Sequence, residues 1–216
     1  LSFLSLFCAL CAGPYLAHEG CSRSLSPHWF YFNIMVSAML LVVVAANALL
    51  FLAAWEIMTL SSFFLVAWDH HRDDVRKAAW LYLLVAHLGM MLLLFMFLLA
   101  GHYCNSLNFR DFGPLAQLPI GSASILYLLA LFGFGVKVGI FPVHIWLPDA
   151  HPAAPSHVSA LMSGVLIKTG IYGILRILIF LPSAPVWWGW LMVLLGASGA
   201  LYGISMAAQQ QDVKRC

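Results

Sequence analysis

Glu56, Lys137 and Lys168 each lie near the middle of a stretch that is otherwise almost free of charge. Their settings are "AAWEIMTLSSFFLVAW", "LFGFGVKVGIFPVH" and "SALMSGVLIKTGIYGILR". An ionisable group at bilayer depth is costly, so it marks an ion or proton path by default and calls for a named partner. For Glu56 two readings stand: a hydrogen-bonded structural carboxyl, or a carboxylate paired with a buried lysine and tuning that lysine's hold on its proton. Lys137 and Lys168 could snorkel, but each is several residues from the end of its apolar run. A lysine kept from water can gain and lose a proton near neutrality, which suits a relay. Gly133, Gly135 and Gly139 flank Lys137 and let another backbone approach, or let the helix deform.

Histidine and proline crowd the segment that follows, "GVKVGIFPVHIWLPDAHPAAPSH". Pro142 removes a backbone donor and clashes with the turn before it, which predicts a break there, and Pro148, then Pro152 and Pro155, keep the chain irregular. Irregular backbone at membrane depth is tolerated where protein buries it or where it lines a watery cavity, as in the broken helices of transporters. His144, His151 and His157 share the region, and histidine titrates near neutral pH. Three readings stay open for them: proton relay, loop hydrogen bonding, and zinc ligation. Their spacing matches no tight zinc motif, and the nearby acidic support is Asp149. His87, in "LLVAHLGMM", is intramembrane as well, and polar packing and relay both fit it.

The elements that must position these groups follow from composition. Of 216 residues, 63% are hydrophobic and 8% charged, with a net charge of +2; soluble domains carry about 25% charged residues. Between Arg23 and Asp69 the one charge is Glu56, between Lys77 and Arg110 there is none, and after Arg176 the next is Asp212. Such runs read as spanning helices, because backbone groups in lipid must be satisfied within the segment. The expected spans are 29–46, 48–67, 78–100, 121–141, 157–180 and 186–207, with 1–16 a partial one and a tight turn near Asn47. The expected fold is therefore an all-α polytopic membrane protein of about six full spans plus one partial. Basic residues favour a cytoplasmic side holding Arg23, Arg72, Arg76, Lys77, Lys214 and Arg215, against Arg110 and Arg176 opposite.

Cys8-x-x-Cys11 lies in an apolar helix without the rest of a zinc or haem motif and reads as packing. No nucleotide-binding glycine loop, nucleophile elbow or iron–sulfur cysteine pattern occurs, so no cofactor and no metal are expected, and nothing points to nucleic acid. The chain begins mid-hydrophobic at Leu1, and both ends look cut.

The stretches "WEIMTLSSFFLV", "GFGVKVGIFPVHIWLPDAHPAAPSHVSALMSGV" and "LIKTGIYGILR" resemble the proton-conducting, antiporter-like membrane subunits shared by respiratory complex I, Mrp-type cation/proton antiporters and group 4 hydrogenases. The resemblance covers roughly 29–215, and "AHPAAPSHVSALMSG" is most similar to the hydrogenase-4 component B and formate hydrogenlyase branch. It implies a first five-helix repeat over 29–180 with its broken helix in 121–156, the end of a preceding helix and loop over 1–28, and a truncated second repeat from 181 to 216. It also implies a central proton-carrying lysine at Lys137, its partner glutamate at Glu56 and a connecting lysine at Lys168. His144 and His151 match a histidine-containing loop by position. The function implied is a proton half-channel in a redox-driven complex, not catalytic alone. Its implied partners are other membrane subunits and a peripheral redox arm, of nickel–iron hydrogenase with iron–sulfur subunits, in a prokaryotic cytoplasmic membrane. A sodium/proton antiporter, a quinone oxidoreductase subunit and a non-conducting anchor remain as alternatives.

Overall fold

A computed structural model describes residues 2–18 and 24–209. Arg23, Lys214 and Arg215, on which much of the expected orientation rests, lie outside the described residues, as do Cys21 and Cys216. The described chain is helical: α1 Ser2–His18, α2 Ser26–Val44, α3 Ala48–Val66, α4 Asp73–Cys104, α5 Ile120–Val138, α6 Leu147–Ala153, α7 Ser156–Leu161, α8 Ile167–Phe180 and α9 Val186–Ala207. Among the described residues, six apolar runs are long enough to cross a membrane: α2, α3 with its last turn, α4, α5, the run from α7 through α8, and α9. Leu84, Leu88, Met91 and Phe95 stand exposed along α4, an outer face suited to lipid and not to water. The chain is a multi-pass integral membrane protein.

Local chemistry sets the ends. Asn47 turns the chain between α2 and α3: its side-chain oxygen accepts from the Leu49 N–H at 2.8 Å, satisfying a free donor of the first turn. The same turn is tied to the loop after α4, by Ala48 N–H to Leu107 O at 2.9 Å and Phe109 N–H to Ala46 O at 3.0 Å. Asp73 and Asp74 open α4, where carboxylates complement the helix dipole. Asn105 closes it in the left-handed region at φ 51°.

The expected span 121–141 stops short. α5 ends at Val138 because Gly139 takes φ +79°, and its N–H returns to Gly135 O at 2.9 Å, a left-handed helix cap. The helix thus terminates three residues ahead of Pro142. Pro148, expected as a second break, instead stands in the first turn of α6, where a missing N–H costs nothing. Between α7 and α8 the run loosens into a π turn, Met162–Leu166, with the Ile167 N–H bonding Met162 O.

The core sits where α3, α4, α5 and α8 meet, with α2 against α3 and α6 against α4. Trp55 and Phe134 meet edge to face at 5.3 Å, and Phe51 and Phe97 meet at a tilt with 5.5 Å between ring centres. α9 leans on α5 through Trp188, stacked on Tyr127 at 4.4 Å.

Candidate functional site

Small residues bring α4 against α5. A Cβ on Gly89 would lie 2.9 Å from Gly133 O and 2.9 Å from Val136 Cβ, so the two backbones are in contact there. That crossing places Tyr82, two turns earlier on α4, beside Lys137, one turn after Gly133. Lys137 is 2% exposed, and its ammonium donates to Tyr82 OH at 2.7 Å and to Thr59 Oγ1 at 3.0 Å. Thr59 is the twelfth of nineteen residues in α3, about 17 Å along the helix. The ammonium therefore sits at mid-span depth.

The hydroxyls around it form a directed chain. Thr59 donates to Trp55 O at 2.9 Å, and Ser62 donates to Met58 O at 2.8 Å. The 2.5 Å contact between Tyr82 OH and Ser62 Oγ then leaves Tyr82 as donor and Ser62 as acceptor, since each hydroxyl has one hydrogen. Lys137 thus leads through Tyr82 to Ser62, one turn nearer the C-terminal end of α3. Trp146 backs Tyr82 at 5.0 Å between ring centroids, held by its indole N–H on Val136 O at 2.8 Å.

Glu56, one turn before Thr59, does not ion-pair with Lys137 directly. Its partner is His87, with Nε2 3.0 Å from Oε1; Lys137 and Tyr82 lie within its coulombic reach. His87 Nδ1 is 2.9 Å from Leu83 O, and a carbonyl only accepts, so Nδ1 carries a hydrogen. The other oxygen, Oε2, is buried without a hydrogen-bond partner. The side chains are 26% and 42% exposed, so the dyad reaches from the Lys137 cluster to the outer face.

The other expected residues are dispersed. Lys168 is exposed on α8, its ammonium on Ser163 O at 2.9 Å. The π turn explains that bond: Ile167 N–H reaches past Ser163 to Met162, leaving the Ser163 carbonyl to the lysine. His144 packs its ring against Tyr202 at 4.9 Å, with Nδ1 buried and unbonded. His151 stacks on Trp146 and bonds Ser159 Oγ at 2.9 Å; burial in this inter-helix segment holds its imidazole below the ordinary pKa. His157 pairs with His28, Nε2 to Nε2, at 2.7 Å. No three His, Cys, Asp or Glu side chains among the described residues are placed to hold a metal ion.

Sequence reasoning passed over Tyr82, Thr59, Ser62 and His28. Hydroxyls and an end-of-helix histidine carry no charge anomaly to flag them. An i, i+3 spacing of Thr59 and Ser62 on the face of Glu56 was the one available signal.

Residues 45–216 match the family described as "NADH:quinone oxidoreductase/Mrp antiporter, TM". Hydrogenase-4 component B of Escherichia coli is 43% identical over the whole chain, which covers 32% of that protein. NAD(P)H-quinone oxidoreductase chain 4 3 of Picosynechococcus is 39% identical over 88% of this chain and 35% of its own length. Among solved structures, the Mrp complex from Dietzia superposes with a TM-score of 0.81 at 28% identity, covering 88% of this chain and 21% of that one. The membrane-bound sulfane sulfur reductase, an archaeal respiratory complex, gives 0.79 at 28% identity, over 90% of this chain and 33% of that one. The chain spans about a third of the length of the curated relatives it matches. With that match over most of its length, this chain belongs to the NADH:quinone oxidoreductase/Mrp antiporter family of membrane subunits.

Proposed function

We propose that the chain forms one proton half-channel of a redox-driven, proton-translocating membrane subunit, with Lys137 as the central carrier. The observation that carries the reading is a buried ammonium at mid-span depth, held by two hydroxyls and flanked one turn away by a carboxylate–imidazole pair. A permanently paired lysine would sit on a carboxylate; this one sits on groups that can pass a proton onward. Proton uptake and release change the charge at Lys137, one helix turn from the Glu56 carboxylate's level on α3.

Lys168, exposed on α8, hands protons to helices that follow, and His144 and His151 are relay groups of the broken segment after α5. The first repeat is 29–180. The similarity to hydrogenase-4 component B supports a group 4 hydrogenase complex, with other membrane subunits and a nickel–iron arm as partners, in a prokaryotic cytoplasmic membrane. In the full-length subunit within its assembled complex, Lys137→Met is expected to abolish proton translocation while the assembled complex remains. Pumping retained in that variant overturns the reading. Unchanged flux in both Lys137→Met and Glu56→Gln makes the charges architectural, and flux that requires sodium makes the chain an antiporter component.

A further inference from the structure

His28 has no role so far, and His157 was left open between relay, loop hydrogen bonding and zinc ligation; the two form a buried polar pair at the end of the bundle. His28 is the third residue of α2 and fully buried; His157 is the second residue of α7 and 5% exposed. Their Nε2 atoms are 2.7 Å apart. Trp68, just past the end of α3, presents its ring to His28 at 4.7 Å, and Phe32 lies 6.2 Å from His157. His28 Nδ1 is buried with no hydrogen-bond partner. A fully buried, half-satisfied imidazole is an expense that packing alone does not require, because an apolar ring of similar size would fill the same volume.

We propose that His28 and His157 are the proton-exchange station of the half-channel at the aqueous end of α2, α3 and α7. This rests on the reading of Lys137 as carrier. A contact between two Nε2 atoms holds one hydrogen, so one ring donates and the other accepts. Starting with that hydrogen on His28, a proton bound at His28 Nδ1 makes an imidazolium, whose Nε2–H passes its proton to the His157 Nε2 lone pair. Loss of the His157 Nδ1 proton then leaves both rings neutral. At each ring one N–H bond forms and one breaks, and one proton has crossed; the reverse sequence carries a proton the other way, and both rings must reorient before a second proton passes in the same direction. Two imidazolium rings cannot share that bond, so the pair moves one proton at a time.

Position links the station to Lys137. Trp68 is nine residues beyond Thr59, about 14 Å along the axis at 1.5 Å per residue, so the pair lies that far toward the end of the bundle. The hydroxyl chain from Lys137 through Tyr82 to Ser62 runs in this direction. About 9 Å of helix separates Ser62 from the level of Trp68. On the other side of the pair, His157 borders a cavity of about 280 Å³ whose walls include Phe7, Cys8, Cys11, Ser156 and Ala160.

The test uses the full-length subunit in its assembled complex, with proton translocation in inverted vesicles normalised to assembled complex. His28→Ala and His157→Ala are each expected to slow translocation roughly tenfold or more, the lower part of the range for positioned acid–base groups. In His157→Ala, free imidazole in the medium is expected to restore much of the rate, because truncation there opens space beside the 280 Å³ cavity. His157→Phe, which refills the volume, is expected to stay slow. Unchanged rates in the alanine variants overturn the proposal, and so does recovery in His157→Phe without imidazole, which shows a packing role. Where an alanine variant fails to assemble, His28→Gln and His157→Gln carry the same test. Lys137→Met separates the two levels: if it pumps normally the carrier reading fails, whereas if it is dead and the histidine variants are normal, only the station fails.

Discussion

Gly89→Ala tests whether the crossing of α4 and α5 builds the site. The new Cβ would meet Gly133 O and Val136 Cβ, each at 2.9 Å, whereas nonbonded carbon contacts settle near 3.5–4.0 Å. The first obstacle is backbone and cannot rotate away, so the helices must part by about 0.6–1.1 Å. The same displacement would stretch the 2.7 Å Lys137–Tyr82 bond to about 3.3–3.8 Å, at or beyond the limit of an effective hydrogen bond. Overpacking of this kind costs about 1–3 kcal/mol. Losing a bond to a charged donor costs about 1.5–3 kcal/mol, a factor of roughly 10 to 150 in any step that depends on it. Thermal unfolding of the purified complex and proton uptake per assembled complex report the two effects separately. Gly121→Ala is the matched control on α5, since a Cβ there meets nothing within 4 Å. Wild-type melting and wild-type uptake in Gly89→Ala would refute the reasoning.

Tyr82→Phe keeps the ring against Trp146 but removes the oxygen that accepts from Lys137 and donates to Ser62. Assembly should be kept and proton uptake should fall at least roughly tenfold, given about 1.5 kcal/mol for one bond to a charged group. Arg176→Met removes a guanidinium that donates to Ala45 O at 2.7 Å and Val43 O at 3.4 Å and lies 4.4 Å from the Phe109 ring centre. Because these contacts pin the α2–α3 turn far from Lys137, the complex should melt lower, by about 2–3 kcal/mol of stability, with uptake per assembled complex unchanged.

The spans were legible because charge is so scarce: the uncharged run from Lys77 to Arg110 called for a membrane helix, and the span expected there, 78–100, lies within α4. Asn47 was legible as a turn because 29–67 is too long for one crossing. Lys137 stood out by type and depth, and the structure buries it. What sequence could not show was who meets whom. Glu56 and His87 are 31 positions apart and meet only because α3 and α4 pack in one register, so the direct partner of Glu56 is an imidazole and not Lys137. The end of α5 was misplaced by three residues because the proline is the louder breaker, while Gly139, able to take φ +79°, acts first. Lys168 looked equivalent to Lys137, yet one faces out of the bundle and the other in. That difference depends on which face each helix turns inward and on the π turn that precedes α8.

The most direct test of the central claim is Lys137→Arg, in the full-length subunit within its complex, compared with Lys137→Met. Arginine keeps a positive charge and hydrogen-bond donors but does not release its proton in proteins. A lysine that carries protons predicts that redox-driven uptake is lost in Lys137→Arg as completely as in Lys137→Met, with the complex assembled in both. Uptake preserved in Lys137→Arg would show that Lys137 supplies a fixed charge, and would contradict the account.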